Sequence, residues 1–366
     1  MARKLKSDRV LFLAAALLVS AGVVMVYSTT AHSAIGEPGQ VSRELMKQLM
    51  WVALGAAGMA IAMRVDYRAW RNPVLIWVLV GAAVAALLAV LFMPAVNGSH
   101  RWFRIGPIGG QPSEFAKLVV IIFTAAVLER RMDRIAEPLY ALPPIALLLA
   151  VLAGLILLEP DFGTSVIVVL IAASIVFAAG LPARMVAAFG ALIAALGTVA
   201  LLIEPYRVRR LLAFLNPWED PQKDGYQLIQ SLYAVGSGGI TGTGLMEGRQ
   251  KLYYLPFAHT DFIYSVIGEE LGLVGASLVL GCFCLIAWRG LRIAHKAPDR
   301  LGGLLAVGIT TMIAAQALVN ISVVLGLLPT KGIPLPFVSA GGSSLVAQMI
   351  ALGILLNVSQ QASAAN

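Results

Sequence analysis

The sequence predicts an all-α polytopic membrane protein of about ten transmembrane helices, and three observations carry that prediction. Hydrophobic residues make up 59% of the chain and charged residues 13%, with a mean hydropathy of +0.85, outside the usual range of a soluble domain. The apolar residues gather into about ten runs of roughly 17–25 residues, each long enough to cross a bilayer as a helix. They lack the alternation of barrel strands, so the backbone must be satisfied inside each helix. Third, the charges are sorted. Arg3, Lys4, Lys6, Arg9, Arg64, Arg68, Arg71, Arg130, Arg131, Arg134, Arg184, Arg289, Arg292, Lys296 and Arg300 fall at the N-terminus and in alternate loops. This positive-inside pattern places both termini in the cytoplasm and the long 204–260 loop outside. It also accounts for the net charge of +8 without a nucleic-acid partner. Residues 1–366 therefore read as one integral-membrane domain.

The first span covers 9–28. It exceeds the apolar core of a signal peptide, about 7–15 residues, so it is read as retained despite the small residues at 31–34. The second covers about 48–64 and the third 73–93, with Arg64, Arg68 and Arg71 in the short turn between them. An outer loop rich in Gly and Pro follows from Asn97, and Ser113 is a candidate cap for the fourth span. Glu114, in its first turn, lies three residues from Lys117 and shares its face. A lysine so deep in an apolar run needs neutralising, and Glu114 is the partner at hand.

The fifth span, about 138–157, should kink at Pro143-Pro144. Glu159-Pro160-Asp161 forms a tight outer turn into the sixth, about 163–180, where Asp161 is equally a turn residue or a substrate-facing one. The seventh covers about 185–203. Arg207 and Arg210 then share a face beside Leu211 and Phe214, the signature of an amphipathic segment lying along the membrane surface. The run Gly236–Gly244 does not match GxGxxG and follows no strand, which excludes a dinucleotide site; a flexible or re-entrant loop fits better. Arg249, Gln250 and Lys251 add donors suited to phosphate or sugar.

The eighth span begins at Asp261. Behind it Glu269 and Glu270 enter the apolar segment with His259 close by, and a carboxylate there costs roughly 2.5–3.5 kcal/mol on insertion scales. Asp261 and Glu269 lie about two helical turns apart, and two carboxylates along one channel could bind a cation or shift each other's pKa; Glu270 falls on the opposite side, where hydrogen bonding to neighbouring helices suits it better. Gln316 and Asn320 form a polar stripe on the ninth span, about 303–327. An irregular loop with Lys331 as its only charge leads to the last, about 345–358. Cys282 and Cys284 lie in an apolar run and read as small buried hydrophobes.

On this topology Arg101, Glu114, Lys117, Asp161, Arg207, Arg210, His259, Asp261, Lys331 and Ser343 converge on the outer leaflet, as a substrate with an anionic head and a lipid tail requires. The motifs at these positions resemble the SEDS family of peptidoglycan glycosyltransferases, exemplified by RodA and FtsW. They are Arg101-Trp102-Phe103, Gln111-Pro112-Ser113-Glu114 with Lys117, Glu159-Pro160-Asp161-Phe162-Gly163-Thr164, His259-Thr260-Asp261-Phe262, Pro334-Leu335-Pro336-Phe337 and Gly341-Gly342-Ser343-Ser344. The stretches 250–256 and 326–332 look more like FtsW than RodA. One departure is Ala340, where the family usually has tyrosine.

The resemblance implies ten spans in the bacterial cytoplasmic membrane and polymerisation of lipid II, the undecaprenyl-pyrophosphate disaccharide-pentapeptide. It implies a class B penicillin-binding protein as partner, the family's essential aspartate at Asp261, and its glutamate–lysine pair at Glu114 and Lys117. Asp261 would then be the general base, with Arg101, Asp161, His259 and Ser343 among the substrate contacts. Arg207, Arg210 and Lys331 would meet the leaving pyrophosphate. A divalent cation, Mg²⁺ or Mn²⁺, is a further candidate, although no motif identifies a metal site. The competing classes are a lipid II flippase that makes no bond and a non-catalytic division scaffold.

Overall fold

Proline and glycine set where the helices start and stop. The computed structural model describes residues 7–31, 40–95, 99–105, 108–135, 137–252 and 254–364; Arg3, Lys4, Lys6, Asn97 and the 32–34 segment lie outside them. Its helices are α1 (Arg9–Ala31), α2 (Gln40–Arg64), α3 (Pro73–Leu91), α4 (Pro112–Arg131), α5 (Pro138–Ala141), α6 (Pro143–Leu158), α7 (Phe162–Ala178), α8 (Ala183–Ile203), α9 (Pro205–Leu215), α10 (Tyr226–Gly238), α11 (Ile263–Lys296), α12 (Arg300–Val324) and α13 (Gly342–Ala364). Pro73, Pro112, Pro143 and Pro205 each open a helix, where the missing N–H would be unsatisfied anyway. The kink expected at Pro143-Pro144 is a break between α5 and α6.

Among the described residues six helices, α1, α2, α3, α11, α12 and α13, are long and apolar enough to cross a membrane. The apolar helices α6 and α7 are shorter, and α8 and α9 meet at a bend of 100°. The protein is thus a helical, multi-pass membrane protein. Helix α4 is its axis: every residue from Pro112 to Ala126 is buried except Phe115, and α3, α6, α7, α12 and α13 pack around it. The helical fold carries one small addition. Phe103–Ile105 (β1) and Ile108–Gly110 (β2) pair as an antiparallel hairpin, set in the Gly- and Pro-rich loop ahead of α4.

Two expectations are corrected. Ser113 does not cap α4. Pro112 takes the first helical position and Gln111 precedes it as N-cap, so Ser113 falls inside the first turn, its Oγ buried with no hydrogen-bond partner. Helix α11 starts at Ile263 rather than Asp261 and is broken at Gly272, whose φ of 64° and ψ of −163° are not helical. The glycine run explains the break. Thr243 and Gly244 donate to the carbonyls of Glu269 and Glu270, while Leu273 and Val274 donate to those of Gly239 and Ile240. A Cβ on Gly272 would stand 2.3 Å from the Gly242 nitrogen, so only glycine lets the two chains meet. The loop is clamped to the helix it interrupts, and the freed backbone groups are paired as a membrane interior demands.

The basic turns gather at one end. Tyr67 Oη and Arg68 Nε both donate to Asp299 Oδ2, Arg289 pairs with Asp8 at 2.5 Å, and Asn357 Oδ1 accepts from the Tyr67 amide. The polar residues of the outer loops gather at the other end. The cysteines are free; Cys282 is half-buried and Cys284 is exposed, so the latter is not the buried group expected.

Candidate active site

A cavity of about 1300 Å³ opens at the end of the bundle opposite the basic turns. Its wall is built from six main stretches: the N-terminal part of α2, the β-hairpin and the residues before it, the α6–α7 turn, the α8–α9 elbow, and the two loops 257–262 and 329–341. Seven of the ten residues expected at the site line it: Arg101, Asp161, Arg207, Arg210, His259, Asp261 and Lys331.

Glu114, Lys117 and Ser343 do not. Glu114 and Lys117 form an ion pair of 2.7 Å, with side chains 2% and 1% exposed, enclosed in the bundle rather than in the cavity wall. Ser343 is buried, and its Oγ accepts the Gln111 amide at 2.9 Å. The residue that reaches the cavity is Ser344; one step along a helix turns a side chain by about 100°. Gln227, in the family-like stretch Gly225-Tyr226-Gln227, also lines the cavity, as do Glu44 and Lys47, to which no motif pointed. Ala340, the departure from the family pattern, is part of the wall as well.

Asp161 does two jobs. Oδ1 accepts the Thr164 amide and caps α7. Oδ2 takes the Thr164 hydroxyl at 2.8 Å, the Gln111 amide group at 3.1 Å and Arg101 at 3.6 Å. Its charge is compensated. Neighbouring Glu159 is fully buried with neither carboxyl oxygen hydrogen-bonded among the described residues, and desolvation, followed by the negative charge of Asp161, pushes its pKa up to about 8.

Asp261 stands apart. It lies in the turn ahead of α11, and its carboxyl group is partly exposed to the cavity with no hydrogen bond among the described residues. Enclosure by protein raises its pKa to about 6; Arg101 and Arg210 pull it down and Asp161 pushes it up. Main-chain contacts fix its place. Asn320 Nδ2 donates to the Asp261 carbonyl at 2.7 Å, Ser339 Oγ to the Thr260 carbonyl at 2.5 Å, and the Ala340 amide to the His259 carbonyl at 3.0 Å. Phe257 and Phe337, in the two loops so joined, have φ of 58° and 64°, and strain of this kind collects at functional sites.

The cations line the same cavity. Arg207 and Lys331 flank the Phe162 ring, with Lys331 Nζ 4.2 Å from its centroid. Arg210 stacks on Tyr206 and donates to the Thr330 carbonyl. Desolvation, then the charge of Arg210, lowers the Lys331 pKa to about 8. Among the described residues no three His, Cys, Asp or Glu side chains are grouped to hold a metal ion.

The acids behind Asp261 do not form a channel. Glu269 accepts the amides of Arg249 and Gln250. Glu270 accepts Ser28 Oγ and the Met246 amide and pairs with Lys251 at 2.6 Å, both side chains almost fully buried. This corrects the reading of Lys251 as a phosphate donor and of Asp261 and Glu269 as two carboxylates along one channel, while the hydrogen bonding expected of Glu270 is what the structure shows.

The match to known proteins spans the whole fold. A family model described as FTSW_RODA_SPOVE, cell cycle protein, matches residues 8–364. The chain is 42% identical to a probable peptidoglycan glycosyltransferase FtsW from Geobacter sulfurreducens, covering 96% of this chain and 95% of that protein. It is 42% identical to stage V sporulation protein E of Bacillus subtilis, covering 98% of each. Among solved structures it is similar to a chain of a peptidoglycan synthase complex that coordinates polymerization and crosslinking, with a TM-score of 0.80, 33% identity, and coverage of 98% and 99%. Its TM-score to the rod shape determining protein RodA of Thermus thermophilus is 0.71, at 31% identity and 97% coverage of each.

Proposed function

The chain belongs to the FtsW/RodA/SpoVE family and is a peptidoglycan glycosyltransferase, and from that premise we propose that it polymerises lipid II into glycan strands with Asp261 as general base. The supporting observation is the contrast at Asp261: an unbonded, partly exposed carboxyl in a cavity walled by Arg101, Arg207, Arg210 and Lys331. The basic turns collected at the far end favour ten spans with both termini in the cytoplasm. The cavity then opens at the outer face of the bacterial cytoplasmic membrane.

In the proposed reaction the 4-hydroxyl of the acceptor sugar gives its proton to Asp261 while its oxygen attacks the anomeric carbon of the donor. The bond to the lipid pyrophosphate breaks, and attack from the opposite face turns the α-linked donor into a β-1,4 product. A base so placed contributes roughly 10²–10⁴-fold. Charge growing on the leaving group needs fixed cations, and Arg207, Arg210 and Lys331 supply them. The bend between α8 and α9 suits a lipid substrate, because it sets the two arginines of an amphipathic helix beside an apolar one. Lys331, with its depressed pKa, is also a candidate to return a proton to the pyrophosphate.

The partner is a class B penicillin-binding protein, in keeping with the synthase complex among the structural relatives, and the FtsW-named relatives favour a division role. The deciding experiment incubates purified protein, alone and with such a partner, with lipid II and separates the products on a gel. A glycan ladder that vanishes in Asp261→Asn is the expected outcome. Lipid movement across vesicles without polymer would make the chain a carrier, and neither activity would make it a scaffold.

A further inference from the structure

Asp261 and Lys331 sit on different loops of the cavity wall, and one buried side chain ties those loops together. Asn320 is 2% exposed. Both donor bonds of its amide nitrogen go to main chain: 2.7 Å to the carbonyl of Asp261 and 2.8 Å to that of Ile333. Ile333 is two residues from Lys331. Between them Gly332 runs so close to the base that a Cβ would lie 3.2 Å from Asp261 Oδ2. The Asn320 Oδ1 is buried and accepts nothing among the described residues, so the hydrogen bonding of this side chain is spent on the two carbonyls.

A planar amide donating to two carbonyls holds them at a set separation, which a hydroxyl or an apolar group of the same volume cannot do. A second link, from Ser339 Oγ to the Thr260 carbonyl, joins the same two loops one residue away. The loops are otherwise unlike regular structure. They contain the left-handed Phe257 and Phe337, conformations that persist only where the surroundings over-determine them.

We propose that Asn320 is a positioning residue for the glycosyl transfer: it fixes the Asp261 loop against the Lys331 loop, and so acts on turnover rather than on substrate binding. The proposal rests on the reading of Asp261 as base. Asn320 touches neither substrate nor leaving group. It places the proton acceptor and the charge that meets the pyrophosphate at the two ends of one reaction coordinate.

The test measures lipid II polymerisation by purified Asn320→Leu and Asn320→Asp with the same partner protein, as kcat and KM per folded molecule, beside Asp261→Asn. Leu keeps the volume and removes both donors. A neutral aspartic acid in this buried place keeps one. A misplacement of about 1 Å costs roughly 10²-fold, so Asn320→Leu is expected to lose about that much kcat, Asn320→Asp less, and KM to stay within about twofold in both. Wild-type kcat in folded Asn320→Leu, or a loss confined to KM or to the folded fraction, overturns the proposal while the base reading stands. Near-normal output from Asp261→Asn removes the base reading itself, and the positioning role with it.

Discussion

Helix α11 and the turn ahead of it carry three carboxylates within ten residues of sequence, and their surroundings are opposites. Glu269 and Glu270 are enclosed and bonded: one holds two backbone amides, the other a lysine, a hydroxyl and an amide. Asp261 has no such partners and faces a wide cavity. Composition treats the three alike, as acids in an apolar stretch. Their difference lies in what the neighbouring loop offers. The glycine clamp at 239–244 carries residues 246–251 onto the inner glutamates, whereas the 329–341 loop meets Asp261 through main-chain contacts and leaves its carboxyl open. A satisfied carboxylate holds structure; an unsatisfied one in a wet site is available for chemistry.

The comparison breaks most visibly at the paired end. Glu270→Gln leaves the Lys251 ammonium buried with no counter-charge, which costs about 3–5 kcal/mol. The expected result is a clear fall in melting temperature in detergent, with the double variant Glu270→Gln, Lys251→Met milder because it also removes the stranded charge. At the open end the pattern inverts. Asp261→Asn should lose at least about 100-fold in polymerisation, about 2.7 kcal/mol in the barrier, with the melting temperature unchanged. A large thermal loss in that variant would mean the aspartate is structural like its neighbours.

The pH dependence sharpens the same contrast. Asp261 must be ionised to accept a proton, so with its pKa near 6 the rate should fall about tenfold per unit below that pH. Lys331 must be protonated to meet a pyrophosphate, so with its pKa near 8 the rate should fall above it. Glu159 is also held up to about 8, and its ionisation beside Asp161 competes for the same limb. Lys331→Arg should carry the falling limb upward, and Glu159→Gln should leave it in place. The reverse outcome assigns the limb to Glu159.

How much of this was legible in the sequence follows from where each bond is made. The helices were, because in lipid the backbone must be satisfied within its own segment and the apolar runs mark those segments. Most charged members of the cavity were, because each is costly in such a chain and only a few occur, but Glu44, Lys47 and Glu204 carry no such signal. The rest depends on contacts between distant segments. Gly236–Gly244 shows glycine but not the break at Gly272 that it pairs with. Gln316 and Asn320 show a polar stripe but not which carbonyls Asn320 meets. Ser343 and Ser344 differ by one position in register, and only packing against the Gln111 amide decides which of them turns away from the cavity. The Glu114–Lys117 pair was visible from its spacing, but its place inside the bundle was not.

The finest probe of the open end is Gly332. Its backbone passes Asp261 so closely that an added methyl group would stand 3.2 Å from the carboxyl oxygen, tight enough to move one of them by a few tenths of an ångström. Gly332→Ala adds no charge and removes no hydrogen bond, so it tests position alone. A displacement well short of the 1 Å that costs roughly 10²-fold should lower kcat by about tenfold or less, and the melting temperature and the pH midpoint near 6 should barely shift. Combined with Asn320→Leu, which loosens the same pair of loops, the two losses should fall short of their product, since contacts that share a partner are not additive. Full multiplication would show that the glycine and the asparagine act on different parts of the reaction, and that the Asp261 loop is held by something other than the clamp they share.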